Sequence, residues 1–345
     1  MKLKLTLLLS FILCISTVSA QQYRVAKSLK QTQPAKQIVW SPDGMLFACY
    51  GSGNTVRVYM ADTSFAFSDI KTDEEVKEVW FSNDKKMLAV VSAKECNYYN
   101  LPDYTFIKSE SFSTITWVAE FNTASISTIG RDHDSLVVNG KKSLPLNTLT
   151  SNNKHLSDFG IASAGKVKWG DYVLGTGYTI LILSRDGTLR KMYGPTKSLI
   201  TDITVSNDGK YIATKGEDKT IEFRDYGSGT LIGAVQSSSK SAGQDSGSIS
   251  FSPDGKLLVS AGLDAYASLW DAEEQSLKNF LYGHIAKVNA ARFSPKANVI
   301  ATASDDSTLK LWIPVEVTNE NMFDTLPKTS DKTFLTNTNS KQDSA

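Results

Sequence analysis

The stretch Tyr282–Trp312 carries a pattern of turns and short runs that recurs along the chain. It opens on Gly283-His284, runs through an alternating segment from Val288 to Phe293, and turns at Ser294-Pro295. A small-residue segment, Val299 to Ser304, then an Asp305-Asp306 turn, lead to a last alternating run from Thr308 to Trp312. Short apolar runs broken by turn residues read as one small antiparallel sheet. Such a sheet cannot bury its own face and becomes stable only when copies stack. The residue before the central turn recurs as Trp40, Phe81, Phe121, Trp169, Val205, Phe251 and Phe293. First to last, these anchors span six intervals of about 42 residues, the length of one four-stranded repeat unit.

The copies differ in clarity. The first (Trp40-Ser41-Pro42-Asp43-Gly44), fifth (Val205-Ser206-Asn207-Asp208-Gly209) and sixth (Phe251-Ser252-Pro253-Asp254-Gly255) share one turn chemistry, and the second has Phe81-Ser82-Asn83-Asp84. The third alternates from Ile115 to Phe121 and then meets the polar run Arg131-Asp132-His133-Asp134. The fourth is compressed around Val167 to Leu183, with an Asp186-Gly187 hairpin signal. Residues 147–165 are Ser/Asn-rich and without periodicity, which predicts a loop or a poorly formed outer strand; 236–247 reads as a Ser/Gly-rich loop. The seventh copy has no outer strand after Trp312, while Tyr23 to Gln33 alternates and belongs to no copy. Pairing the two closes a ring and leaves only short outer edges.

The Gly-His, Ser-Pro, Asp and terminal Trp spacing resembles the WD-repeat β-propeller family over residues 23–313. The resemblance implies an all-β, seven-bladed propeller closed by the N-terminal strand pairing into the last blade; six blades plus an irregular insertion is the other arrangement. It also implies a hydrogen-bonded His, Ser/Thr, Asp and Trp set inside each well-formed blade. The seventh copy supplies His284, Thr302, Asp306 and Trp312, the sixth Ser260, Asp264 and Trp270, and the fifth Thr214 and Asp218 with Phe223 for Trp. Cys49 stands at the Ser/Thr position of the first copy, and His133 and His155 fall outside the His position. A His–Asp pair also belongs to catalytic triads, but no Ser or Cys nucleophile is placed beside it, so the set reads as structural.

Met1 to Ala20 has the make-up of a signal peptide: Lys2 and Lys4, an uncharged apolar run from Leu5 to Val18, and small residues before a cleavage point after Ala20. Bulky Leu13 before Cys14 argues against lipid attachment. The domains expected are a signal peptide at 1–20, the propeller at 21–313 and a disordered polar tail at 314–345. No later stretch has transmembrane length. The mature chain is expected to be secreted or periplasmic, where Cys49 and Cys96 could pair; as small buried hydrophobes they need not.

Lys and Arg number 37 against 36 Asp and Glu, which argues against nucleic acid or an anionic membrane as partner. There is no P-loop, Cys-x-x-Cys, His-Glu-x-x-His or Gly-x-Ser-x-Gly motif. Asp132, His133 and Asp134 could ligate a metal, yet no inward Glu/Asp/Asn set is evident in the other copies, and a polar turn is the plainer reading. Trp117 aligns with Asn289 at the start of the innermost strand, and Lys36 and Lys77 take the equivalent place, a position the family often uses to touch partners. The function expected is a non-catalytic protein-interaction platform, monomeric and without metal or cofactor, possible company being a cell-envelope assembly. The alternative is an exported propeller enzyme, a metal-dependent lactonase-type hydrolase or quinone-dependent dehydrogenase.

Overall fold

The computed structural model describes residues 22–111, 116–122, 125–132, 134–139, 141–167, 170–237 and 247–316. The leader at 1–20, nearly all of the tail at 314–345, His133 and Trp169 lie outside the described residues, as do the side chains of 116–128.

Several repeats share one turn chemistry after their first strand. In the first, Ser41 Oγ donates to Asp43 Oδ1 (2.7 Å) and accepts from the Leu46 amide (2.9 Å). Gly44 supplies the left-handed residue (φ 72°) that turns the chain back. The same loop recurs at Ser206-Asp208 (2.7 Å) and Ser252-Asp254 (2.6 Å). These turns join the first and second strands of their blades, and the chain forms seven four-stranded antiparallel sheets. Blade 1 is Gln37–Trp40, Leu46–Tyr50, Thr55–Met60 and Phe67–Lys71; blade 2 is Glu78–Phe81, Met87–Val91, Glu95–Asn100 and Phe106–Ser111. Blade 3 is Thr116–Asn122, Ser125–Asp132, Ser135–Val138 and Lys141–Pro145; blade 4 is Ile161–Lys166, Tyr172–Thr176, Thr179–Leu183 and Leu189–Tyr193. Blade 5 is Ile200–Val205, Tyr211–Gly216, Thr220–Asp225 and Leu231–Gln236; blade 6 is Ile249–Phe251, Leu257–Ser260, Tyr266–Asp271 and Ser276–Tyr282. Blade 7 combines Val288–Phe293, Ile300–Ser304 and Thr308–Pro314 with Tyr23–Lys30 from the other end of the chain. That strand pairs antiparallel with the third, from Tyr23↔Pro314 to Lys30↔Thr308, so the ring is closed as expected and has seven blades.

Two expectations are corrected at the fourth repeat. Residues 147–165 are not a plain loop: they contain the small hairpin Thr150–Ser151/Lys154–His155 and most of the innermost strand of blade 4. The fourth anchor expected at Trp169, itself outside the described residues, falls at Lys166. Val167 N–H bonds Asp171 O and Gly170 N–H bonds Val167 O, so Val167 holds the place of Ser41 and the strand ends at Lys166. A Val there lacks the hydroxyl that marks the other turns.

The core is divided among the blade interfaces. One cluster joins Phe47 and Tyr59 to Ala301, Leu309 and Leu311 across blades 1 and 7; another joins Val56 and Val58 to Val79, Leu88 and Val90 across blades 1 and 2. Inner strands such as Leu46–Tyr50, Met87–Val91 and Ile300–Ser304 are buried along their whole length, as expected for strands covered on both faces. Cys49 and Cys96 are buried free thiols, and burial pushes each thiol up to about 12.

Candidate functional site

In blade 7 the structure brings His284, Thr302, Asp306 and Trp312 into one chain of bonds. Trp312 Nε1 donates to Thr302 Oγ1 (2.9 Å), which lies 2.7 Å from His284 Nε2; His284 Nδ1 lies 2.8 Å from Asp306 Oδ2. Burial lowers the His284 pKa, against the opposing pull of Asp306. A neutral imidazole suits the chain: Thr302 accepts from Trp312 and donates to Nε2, and Nδ1–H donates to Asp306, so both ring nitrogens and the indole N–H find partners. Burial works to raise Asp306, but bonds from Thr308, His284 and the Ile285 amide outweigh it and hold the carboxyl at about 2. Gly283 lets the strand entry pass close, since a Cβ there would stand 3.1 Å from the Trp312 ring.

This buried set has an exposed consequence. Asp306 Oδ2 accepts the Ile285 amide (3.1 Å), while the Ile285 side chain is 89% exposed. A freely exposed isoleucine is thereby held on a fixed backbone. Three residues earlier Tyr282 is 65% exposed, and its ring meets Tyr266 (5.2 Å between centroids) and Phe280 (5.6 Å). On the other side of the turn Lys36 Nζ pairs with Asp305 Oδ1 (2.5 Å). Apolar anchors beside adjustable charges form the make-up of a recognition surface.

The other candidates fall differently. In blade 6 Trp270 Nε1 donates to Ser260 Oγ (2.9 Å), and Asp264 is buried in the adjoining turn. In blade 5 Thr214 is buried and Asp218 accepts from the Thr220 amide (3.0 Å) and hydroxyl (2.8 Å); Phe223 has no N–H to contribute. Lys77 is exposed and pairs with Glu75 (2.5 Å). Asn289 does not belong with the docking residues: it is 6% exposed, and its amide donates to Ala35 O (3.1 Å) and Asp305 Oδ1 (2.8 Å), bracing blade 7 against blade 1. Trp117 sits in the innermost strand of blade 3 opposite Ile129; its side chain is outside the described part. Asp132 ends a strand and pairs with Lys142 (2.7 Å).

The central channel holds charge that the sequence reading did not find. Asp202 of blade 5 accepts from Ser163 Oγ of blade 4 (2.8 Å) and the Ile249 amide of blade 6 (2.9 Å), and pairs with Arg292 Nη1 of blade 7 (3.1 Å). Arg292 Nη1 also donates to Ile249 O, and its own carbonyl accepts from Trp40 Nε1 of blade 1 (3.4 Å). Glu78 of blade 2 faces the same space with one long contact from Tyr50 (3.5 Å). The expectation that no inward acidic residues recur is thus corrected. Glu78 and Asp202 each stand three places before their anchors, a register that a comparison of the copies could have exposed. Among the described residues no three His, Cys, Asp or Glu side chains gather as a metal-ligand set.

Comparison with known proteins agrees with this geometry. The family model for the WD domain, G-beta repeat, matches residues 179–225, 241–271 and 275–312. Pre-mRNA-processing factor 19 of Oryza sativa subsp. japonica is 36% identical over 110 residues, 32% of this chain and 20% of that protein. Protein tipD of Dictyostelium discoideum is 37% identical over 108 residues, 30% of this chain and 16% of that protein. The guanine nucleotide-binding protein subunit beta of Saccharomyces cerevisiae is 36% identical over 67 residues, 19% of this chain and 16% of its own length. The chain therefore matches a fifth or less of the length of these relatives. The WD domain, G-beta repeat is thus matched in the later blades of a seven-bladed β-propeller closed by its first strand.

Proposed function

We propose that this propeller is an exported, non-catalytic platform for protein recognition, and that it docks a partner on the rim where blades 6 and 7 meet, within a cell-envelope assembly. The observation that carries the reading is Ile285, almost fully exposed yet fixed through its amide to Asp306. An apolar side chain held in place loses little freedom on binding, which favours it as an anchor. Tyr282 extends the apolar surface, and the Lys36–Asp305 pair supplies a polar margin. Among the relatives, the yeast protein is by name a subunit. Support for export comes from the leader-like composition of Met1 to Ala20.

The test is co-purification of the tagged mature chain from envelope extract, comparing the native rim with Ile285→Ser and Trp117→Ala. A control, Leu231→Ser, changes an exposed residue on the outer strand of blade 5. Loss of the same partner with Ile285→Ser, retained with Leu231→Ser, is expected. Equal recovery with all variants would remove the blade 6/7 rim as the docking site.

A further inference from the structure

Beside the Asp202–Arg292 pair, the channel widens into a cavity of about 420 Å³, within the size range of small-molecule sites. Its wall carries donors that the fold leaves unspent. Arg292 makes both of its side-chain bonds through Nη1, and among the described residues Nε and Nη2 meet no acceptor. Trp80 lines the same cavity, and its indole Nε1 is buried with no partner among the described residues. A donor shut off from water and left unpaired costs about 1–3 kcal/mol. That cost falls on the Trp80 N–H alone; the free edge of Arg292, whose side chain is 26% exposed, is open to solvent and available to an acceptor in the cavity.

The charges decide which acceptor. The oxygens of Asp202 are already taken by Ser163, the Ile203 and Ile249 amides, and Arg292, so they offer little to a cation, which Arg292 would also repel. We propose that this cavity binds the carboxylate group of a small ligand, gripped by the free Nε/Nη2 edge of Arg292 and by the Trp80 indole N–H. Guanidinium and carboxylate match two bonds at a time. Glu78 does not oppose this. Burial pushes its carboxyl up to about 8, with Arg292 lowering it and Asp202 raising it, and Tyr50 is its hydrogen-bonding neighbour. Raised in this way, it carries less negative charge at neutral pH than an ordinary carboxylate. The carboxylate could belong to a free organic acid or to a peptide C-terminus; the two share this chemistry. The inference does not depend on the rim, and its assay contains no protein partner.

The test titrates two probes into the folded propeller: benzoate, and acetyl-diglycine with a free C-terminus. Benzamide and the peptide's C-terminal amide are the neutral counterparts. The readout is the Trp80 indole N–H resonance, assigned with Trp80→Phe, and affinity by calorimetry. Saturable binding of at least one carboxylate is expected, with the amides at least about tenfold weaker, and which probe binds identifies the source. Trp80→Phe leaves the Asp202–Arg292 pair intact and should weaken binding by about tenfold, the worth of one bond to a charged group. Arg292→Met should abolish it, with circular dichroism reporting the fold. Affinity should fall as pH rises from 7 to 9 and Glu78 gains charge. No saturable shift with either carboxylate, amides binding as tightly, or Trp80→Phe binding unchanged would each overturn the proposal.

Discussion

Thr302 is the residue through which the blade 7 chain of bonds can be measured. Its hydroxyl meets two buried groups, the Trp312 indole and His284 Nε2, at 2.9 and 2.7 Å. Thr302→Val keeps the branched shape and removes only that hydroxyl. Both partners then lose their bond in a site closed to water, and each orphaned group costs about 1–3 kcal/mol. The expected loss is about 3 kcal/mol, or roughly 6 °C in melting temperature for a ring of this size. Ser260→Ala in blade 6 is the internal comparison, because there the hydroxyl meets Trp270 Nε1 and one orphan should cost about half as much. Urea denaturation of the two variants gives both numbers. A cycle with Trp312→Phe isolates the indole part, since removing both ends of a bond costs less than the sum of the single changes. Equal losses for Thr302→Val and Ser260→Ala, or a Thr302→Val loss below about 0.5 kcal/mol, would refute the view that the hydroxyl serves two groups.

Two further outcomes are expected. Asp306 is held at about 2 in the fold against 3.8 ordinarily, so it contributes about 2 kcal/mol that is complete above pH 4 and fades as pH falls through 2. His284, lowered from 6.5 by burial, adds a loss of the same sign below pH 6.5, because the unfolded chain takes up its proton first; urea midpoints between pH 7 and 3 should fall, less steeply in Asp306→Asn. Deleting residues 22–30 strips the strand paired to Thr308–Pro314 and removes Tyr23, Val25, Ala26 and Leu29 from two interface cores. The stability loss should exceed about 3 kcal/mol, with aggregation through the exposed edge; an unchanged melting temperature would mean that the ring does not need its first strand.

The repeat was legible because its turn is local chemistry: Ser, Asp and Gly within five residues close the same loop wherever they occur. The Trp312 set was legible for a related reason, since fixed spacing within one sheet fixes which side chains meet. Where local signals lapse, the reading failed. Ile161–Lys166 is mostly Ala, Ser and Gly, which shows no apolar alternation, and Val167 lacks the hydroxyl of the other turns, so the fourth anchor was set three residues late. Asn289 was placed on the docking surface because its position in the repeat is a rim position. Its burial follows from Ala35 O, 254 residues away in sequence. Asp202 likewise draws its partners from blades 4, 6 and 7, and no spacing within one repeat announces contacts among three others.

These long-range contacts gather where the chain most needs them. Six blades are built from consecutive strands, so covalent continuity brings each together. Blade 7 is built from both ends of the chain, and its closure depends wholly on non-covalent contacts. The seam between blades 7 and 1 is accordingly rich in polar ties: Asn289 to Ala35, Lys36 to Asp305, Trp40 to the Arg292 carbonyl, and the Gln31 side-chain amide to the Tyr59 hydroxyl (2.6 Å). The blade with the complete His–Thr–Asp–Trp set is the same blade, and the set's Asp306 neighbours the Asp305 that receives Lys36. A well-ordered third strand, Thr308–Pro314, is the template on which Tyr23–Lys30 must find one register out of several, and slippage by one residue would turn Tyr23 and Val25 away from the core. The most strongly specified repeat is therefore the one that carries the closure, and the exposed Ile285 inherits its fixed position from that same requirement.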